Sequence, residues 1–267
     1  MKEFFGIGGY QRTPEGYFSW QHLGFVTSLM VLMIGLAVLF GLRNREKDAA
    51  RKNRVLIVAA ILMDSLEIFK IVILCLRGDD PIRTILLNLP LFMCSIQLIS
   101  LPLAAFTRGR LKAAALDFVF IFGILGAVFG TYFAGQNYAC YPVLSLDNVF
   151  SGVTHTIAGF ASLYIAVSGM LRMEKRNIFI TFSIITGFCA AALVADYTIP
   201  YNYMFLKGGD GTPYDIFYKM LGENWLYQTI IYPIIVLLLF YLYIAAFYGA
   251  FFLIQHIREK KAAKKQQ

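Results

Sequence analysis

Two side chains of this sequence have types that together support covalent chemistry: the thiol of Cys94 and the imidazole of His155. A thiol is a weak nucleophile until a base removes its proton, and an imidazole can take that proton and leave a thiolate. Both residues fall inside long apolar runs. The ester that such a pair meets inside a membrane belongs to a lipid. We therefore expect nucleophilic chemistry on a lipid, with Cys94 as the nucleophile and His155 as the base.

Three ionisable residues, Asp64, Glu67 and Lys70, lie in another apolar run. Their i, i+3 spacing puts them along one face of a helix. Ionisable side chains inside a membrane are costly, so a functional role is the default hypothesis. Two interpretations stay open: an ion-pair ladder that holds helices together, or a carboxylate that orients the histidine or belongs to a proton path.

Further polar residues lie in or beside the apolar runs and could orient the reacting groups or contact substrate. Amide donors can stabilise the oxyanion of a tetrahedral intermediate, and Gln97 follows Cys94 by one helical turn on the same face. The supporting or substrate-binding candidates, besides the three charged residues above, are Gln97, Asn202, His22, Asp196 and Tyr203.

The apolar runs predict helices that cross a membrane. The chain has 267 residues, 58% hydrophobic and 15% charged, and so few charges cannot cover a soluble domain. Each run is long enough to cross a hydrocarbon core of about 30 Å at about 1.5 Å per residue. The seven predicted spans are 18–42, 55–76, 86–107, 113–134, 147–171, 178–199 and 226–256.

The distribution of basic residues predicts the orientation of these spans. With the N-terminus outside, most of the 24 lysines and arginines lie in segments 43–54, 108–112, 172–177 and the tail from residue 257. Cytoplasmic segments of membrane proteins carry such an excess. We therefore expect an all-α polytopic membrane helix bundle of seven transmembrane helices, with the N-terminus outside and the C-terminus cytoplasmic. The basic loops would face anionic lipid headgroups, so we expect no nucleic acid partner.

Helical rise then places the polar candidates at similar depths. Cys94 and His155 both lie roughly 12 Å below the outer surface, Glu67 roughly 14 Å and Lys70 roughly 9 Å. On the same count His22 is roughly 6 Å deep and Asp196 roughly 5 Å. The outer half of the bilayer is therefore the expected location of the site.

The rest of the chain suggests a single transmembrane domain over residues 1–267. The outer loop 200–225 has the signals of an interfacial helix at about 213–221, with Pro213 at its start and Gly222 after its end. It could serve as a brace on the membrane surface or as a lid over a pocket. Cys75 and Cys140 both fall near the outer face and could pair. No metal-ligand spacing or cofactor motif is present, so we expect neither.

Several segments resemble the YwaF-like family of bacterial integral membrane proteins. The similarity is carried, in order along the chain, by Phe18–His22, by Leu89–Cys94, by the stretch from Tyr141-Pro142 to His155, and by Asn202–Leu206, of which the last is the most specific. Family members have a histidine two residues before the cysteine and an acidic or amide residue after it, where this chain has Phe92 and Ser95.

This resemblance implies a multi-pass protein of the bacterial cell membrane. The family is similar to a eukaryotic multipass acyltransferase that remodels ether phospholipids through a cysteine and a histidine. Carried over by position, those residues are Cys94 and His155. The resemblance thus implies a phospholipid acyltransferase or transacylase that forms a thioester, with membrane phospholipids as substrates. With water as the acceptor, the same residues would make a lipid hydrolase.

Two alternatives belong to other classes of protein. A proton-coupled small-molecule transporter would use Asp64, Glu67, Lys70 and His155 as a relay. A transporter needs polar residues through both halves of the membrane, whereas the inner half here reads as mostly apolar. A non-catalytic lipid-binding or sensing protein is the other alternative, in which Phe92 marks a degraded site.

Overall fold

The computed structural model describes the backbone of residues 2–266 and the side chains of residues 2–262. Throughout this described part the regular structure is helical, with no β-strand. The chain divides into two compact units, Met1–Arg172 and Met173–Gln267.

The helices of the first unit are α1 (Lys2–Phe5), α2 (Trp20–Asn44), α3 (Ala49–Arg77), α4 (Pro81–Leu87), α5 (Gln97–Phe106), α6 (Gly109–Tyr132), α7 (Gly135–Cys140) and α8 (Leu146–Val167). Those of the second unit are α9 (Ile178–Thr198), α10 (Tyr214–Tyr218) and α11 (Tyr232–Gln266). Two 3₁₀ turns, Lys175–Asn177 and Tyr203–Phe205, and one π turn, Tyr227–Ile231, complete the second unit.

Side-chain caps fix where the long helices of the first unit begin. Ser19, Asp48 and Ser145 each precede a helix, and each side chain accepts a hydrogen bond from the backbone N–H three residues later. This arrangement satisfies one of the first N–H groups of the helix, which have no partner within it.

Five helical segments of the described chain are long and apolar enough to cross a membrane. They overlap five of the seven predicted spans and comprise Trp20–Asn44, Gly109–Cys140, Leu146–Val167, Lys175–Thr198 and Tyr227–Ala262. The predicted span 55–76 lies within α3, which has 29 residues but carries three charges in its middle.

The predicted span 86–107 is not one continuous helix. Helix α4 ends at Leu87, α5 begins at Gln97, and the residues between them form turns. Pro90 explains the break, because it has no N–H to donate and disfavours helical backbone at the residue before it. The prediction of one continuous helix over 86–107 was therefore wrong. Pro102 is accommodated inside the ten-residue helix α5.

Small residues bring α6 and α8 close together at the centre of the first unit. A Cβ added at Gly123 would lie 2.7 Å from the carbonyl oxygen of Ala158, and one added at Gly159 would lie 2.6 Å from the Cβ of Ala127. Helices α3 and α5 pack against this pair around a buried cluster of aliphatic side chains and Tyr164. Glycine and alanine permit such close packing in membrane proteins.

In the second unit, α9 packs against α11 through hydroxyl and ring contacts. The hydroxyl of Thr181 lies 3.1 Å from that of Tyr248, and the rings of Phe182 and Tyr241 stack with centroids 4.5 Å apart. Helix α10 forms where an interfacial helix was expected, and at Tyr214–Tyr218 it is shorter than the predicted 213–221.

Candidate active site

His155 lies in the third turn of α8. A contact within the same helix sets the orientation of its ring. Its Nδ1 is 2.6 Å from the carbonyl oxygen of Ser151, four residues earlier. A carbonyl can only accept a hydrogen bond, so Nδ1 carries the proton and Nε2 has the lone pair. Among the described residues Nε2 has no hydrogen-bond partner, and it is shielded from solvent. The ring is therefore prepared to accept a proton at Nε2.

Cys94 lies in the turn that leads into α5. The amide N–H of Phe92 donates to the hydroxyl of Ser95, which donates in turn to the Phe92 carbonyl, at 3.0 and 3.2 Å. The N–H of Ile96 also donates to that carbonyl, at 2.9 Å. Ser95 therefore stabilises the turn that presents the thiol at the N-terminal end of a helix. Such positions favour negative charge, and hence the thiolate.

The thiol of Cys94 and the imidazole of His155 interact with each other through their side chains. Their contact is looser than a hydrogen bond of standard length and direction, since Nε2 makes none to any described residue. Catalytic hydrogen bonds are often loose before substrate binds and tighten in the reacting complex. The structure thus brings the two sequence-predicted residues together.

Two glycines of α6 provide the surface on which this pair lies. A Cβ at Gly130 would lie 2.0 Å from Cδ2 and 2.1 Å from Nε2 of His155, so any larger residue would displace the ring. A Cβ at Gly126 would lie 3.7 Å from the Cα of Cys94, an ordinary contact distance. The sequence analysis missed both glycines. Their Gly-x-x-x-Gly spacing, typical of close packing between membrane helices, was the available signal.

The charged residues of α3 divide into an ion pair and a separate acid. The Oε1 of Glu67 lies 2.5 Å from the Nζ of Lys70, and these side chains are 12% and 14% exposed. The Lys70 charge acts on both Cys94 and His155. A cation there favours a thiolate. No described residue makes a hydrogen bond to the buried Oδ1 of Asp64.

Aromatic stacking is one of the contacts that join α3 to α8. The rings of Phe69 and Phe150 stack with centroids 5.5 Å apart, which places Lys70 near the turn of α8 that precedes His155. Our alternative of a carboxylate that orients the histidine is not what the structure shows, because the Ser151 carbonyl occupies that role.

Gln97 is the first residue of α5 and is almost fully buried. Its Oε1 accepts a hydrogen bond from the hydroxyl of Ser100 at 2.8 Å. Its Nε2 is also buried and makes no hydrogen bond to any residue that the structure describes.

His22 has both ring nitrogens occupied. Its Nδ1 accepts a hydrogen bond from the N–H of Phe18 at 3.1 Å, and its Nε2 lies 3.1 Å from the carbonyl oxygen of Thr131. The ring also packs against that of Tyr138, tilted by 34° with centroids 3.9 Å apart. These contacts join the start of α2 to the end of α6, beside Gly130.

The other three candidates lie in the second unit and meet one another there. The Oδ1 of Asp196 accepts from the N–H of Tyr203 at 2.6 Å. The Nδ2 of Asn202 donates to the carbonyl of Gly208 and to Asp210, both at 2.8 Å, and its Oδ1 accepts from the N–H of Lys207 at 2.8 Å. Burial raises the pKa of Tyr203 to about 12. These bonds stabilise the loop after α9.

A salt bridge that the sequence analysis missed joins the ends of α3 and α8. Arg77 donates through Nη1 and Nη2 to the two carboxylate oxygens of Asp147, at 2.7 and 2.6 Å. The hydroxyl of Tyr10 donates to the same carboxylate at 2.6 Å. We call Tyr10, Arg77 and Asp147 the outer clamp. The sequence did offer a signal for this pair. Arg77 directly follows the predicted span 55–76, Asp147 begins the span 147–171, and both were expected on the outer face.

All four cysteines are free in the described structure, including Cys75 and Cys140, which were considered as a possible pair. The thiol of Cys75 faces the carbonyl of Pro81 at 3.6 Å. Cys189 is buried in the second unit.

These features define an all-helical membrane protein with several apolar helices and a thiol–imidazole pair enclosed in its first unit. The TMEM164 family model matches residues 17–244, which include both members of the pair, and the chain belongs to this family of membrane proteins. No curated protein and no solved structure matches the chain.

Proposed function

We propose that this protein is a membrane-embedded phospholipid acyltransferase, or transacylase, with Cys94 as nucleophile and His155 as base. One observation carries the proposal. The Nδ1–H of His155 is held by the Ser151 carbonyl, so the unpaired Nε2 is the basic nitrogen of a ring that interacts with the Cys94 thiol. A neutral imidazole with its lone pair directed toward a thiol is the arrangement that thiolate formation requires.

The reaction would proceed in two halves. The Cys94 thiol transfers its proton to Nε2 of His155, and the thiolate sulfur forms a bond to the ester carbonyl carbon. The tetrahedral intermediate then breaks its carbon–oxygen bond, and the imidazolium returns the proton to the leaving alkoxide. A thioester remains on Cys94. The hydroxyl oxygen of an acceptor lipid then attacks the thioester carbon while His155 removes its proton. The carbon–sulfur bond breaks, the new ester is released, and the imidazolium returns the proton to the Cys94 thiolate.

Lys70 supports this chemistry by its charge. A positive group close to the pair stabilises the thiolate. Glu67 balances that charge within α3. This is a supporting role, since neither residue exchanges a proton with the substrate.

We further propose that the site faces the outer leaflet of a bacterial cell membrane. The basic loops favour seven spans with the N-terminus outside and the C-terminus cytoplasmic, with α3 and the segment 81–106 completing the seven. The resemblance to YwaF-like proteins, and through them to a Cys/His acyltransferase of ether phospholipids, supports the same substrate class.

Acyl exchange in detergent micelles tests the function. The purified protein would be incubated with a phospholipid that carries a labelled acyl chain and with an unlabelled lysophospholipid. The labelled acyl chain should move to the lysophospholipid, and Cys94→Ala should abolish the transfer. Cys189→Ala is the matched control, since it removes a buried thiol of the second unit. Equal transfer by wild type and Cys94→Ala would refute the mechanism.

Proton-coupled transport is a second candidate, favoured by the buried Oδ1 of Asp64, which is without a hydrogen-bond partner among residues 2–266. Uncompensated acids inside a membrane often belong to proton paths. The aliphatic cluster around Tyr164 argues against it, because it fills the space between α3, α5, α6 and α8. Proton uptake by proteoliposomes that is lost in Asp64→Asn, together with unchanged acyl exchange, would favour transport.

A further inference from the structure

Gln97 has the features of a hydrogen-bond donor held ready for a ligand. The side chain is 1% exposed, so water does not satisfy it. The Ser100 hydroxyl holds its Oε1, which fixes the orientation of the amide. The Nε2 is then left without a partner in the described part of the chain. A buried N–H group that makes no hydrogen bond is costly, and folded proteins rarely retain one without a reason.

The backbone places this amide on the same side as the Cys94 thiol. The N–H of Ile96 donates to the carbonyl of Phe92, and the N–H of Leu98 donates to that of Ser95, both at 2.9 Å. The chain from residue 92 onward therefore already turns in the helical sense. Residues three apart in such a turn share a face, so Gln97 follows Cys94 on the face that packs toward α6.

We propose that Gln97 is a catalytic residue whose Nε2–H donates a hydrogen bond to the oxyanion formed when Cys94 attacks an ester carbonyl. This inference rests on the proposed acyl transfer and deepens it. A donor that is fixed before reaction and shielded from water needs no reorganisation when the charge develops.

The electron and proton movements are balanced without any further reactant. As the sulfur–carbon bond forms, the carbonyl π electrons move to the oxygen, which becomes the oxyanion bound by Gln97. The thiol proton resides on Nε2 of His155. When the oxyanion electrons return, the carbon–oxygen single bond breaks and the alkoxide takes the proton from His155. Gln97 neither gains nor loses a proton.

Other polar groups considered for this role are already engaged. Both ends of the Asn202 amide are hydrogen-bonded within its own loop. The ammonium group of Lys70 is paired with Glu67. Ser95 uses its hydroxyl to hold the turn at Phe92. Gln97 is distinguished from these groups by its unused donor.

Gln97→Met tests the proposal, because methionine keeps a similar volume and removes the donor. Two rates would be followed on the Cys94 peptide of the full-length protein by mass spectrometry: acylation by a phospholipid and alkylation by iodoacetamide. Alkylation requires the thiolate but generates no oxyanion. We expect acylation to fall by about 10²- to 10³-fold and alkylation to be unchanged. Ser100→Ala, which keeps the donor but frees the amide to rotate, should give an intermediate loss of acylation.

Three results would overturn the inference, and they differ in what they say about the function. Equal losses of acylation and alkylation would show that Gln97 positions the thiol. Full acylation of Gln97→Met, with none in Cys94→Ala, would remove the role of Gln97 and leave the acyltransferase intact. Transfer that persists in Cys94→Ala would refute the acyltransferase mechanism and the oxyanion role together.

Discussion

Two histidines of the first unit are each held by a backbone carbonyl, and they differ at the second ring nitrogen. At His22 the second nitrogen accepts a hydrogen bond from Phe18, so the ring is satisfied on both sides and joins α2 to α6. At His155 the second nitrogen has no such bond to any described residue and faces a thiol instead. The same side chain therefore serves packing in one region and is prepared for chemistry in the other.

The same contrast separates the outer clamp from the site as a whole. In the clamp, both carboxylate oxygens of Asp147 are hydrogen-bonded to Arg77, and Tyr10 adds a third bond. Around Cys94, the donor of Gln97 and the acceptor of His155 are left unpaired within the described chain. Unpaired buried groups reduce stability. In the proposed function, the substrate completes the bonding of these two groups.

The largest expected effect comes from removing the base. His155→Ala should lower the acyl-transfer rate by about 10³-fold, because general-base catalysis contributes about 10²- to 10⁴-fold. The thermal unfolding midpoint should change little, since the ring is hydrogen-bonded only to Ser151 among the described residues, within its own helix. Rate and midpoint would be measured on the same preparation. If the rate falls only in proportion to the loss of folded protein, His155 has a structural role like that of His22, and the distinction between the two histidines is wrong.

Displacing the ring without deleting it should have the next largest effect. Gly130→Ala puts a methyl group where the His155 ring lies, so the ring must move away from Cys94. We expect a loss of transfer of about 10²-fold, as small misplacements of catalytic groups cost that much. Gly126→Ala is the matched control, because its added methyl group meets Cys94 at an ordinary contact distance. Equal losses from both alanines would contradict the seating of His155 on Gly130.

His22→Leu should affect stability rather than chemistry. It leaves the Phe18 N–H and the Thr131 carbonyl without their partners, and the unpaired carbonyl of the buried Thr131 costs about 1–3 kcal/mol. The midpoint of thermal unfolding should therefore fall clearly. The transfer rate per folded molecule should stay close to that of the wild type. A normal midpoint with lost activity would assign His22 to the site.

Tyr10→Phe should have the smallest effect. It should lower the free energy of unfolding by an amount that depends on pH. The change removes the hydrogen bond to Asp147 and the one accepted from Arg77, each worth about 0.5–1.5 kcal/mol. Burial, together with the Asp147 carboxylate, raises the pKa of Tyr10, so folding favours the protonated phenol. The contribution of Tyr10 is then fully present below the pKa of an unfolded tyrosine, about 10, and is lost as the pH rises through the higher folded value. The free energies of unfolding of wild type and Tyr10→Phe would be measured across this pH range. They should differ at the lower pH and converge as the pH rises, and a constant difference would contradict this account.

The sequence predicted the long apolar helices well because membrane-spanning helices have a simple composition. It did not predict the break at 88–96, because a proline can stand in the first turn of a helix as well as interrupt one. Cys94 and His155 were identified by type and depth. The carbonyl that orients His155 could not be identified from residue types, because every residue has one. The glycines beneath the pair became meaningful only when the partner of α6 was known.

The charged residues show a second limit of sequence reasoning. Spacing along α3 put Asp64, Glu67 and Lys70 on one face but did not say which carboxylate pairs with the lysine. In the structure, Lys70 forms its ion pair with Glu67. The outer clamp joins residues that are 70 and 137 positions apart, a distance at which local patterns carry no information.

The most direct test of the central claim is to locate an acyl group on the protein. Wild type, Cys94→Ala and the matched Cys189→Ala would be incubated with phospholipid, and intact masses would be recorded before and after treatment with hydroxylamine. The account predicts a hydroxylamine-sensitive acyl adduct on wild type and Cys189→Ala that is absent from Cys94→Ala, with peptide mapping placing it on Cys94. The same adduct on Cys94→Ala would contradict the account.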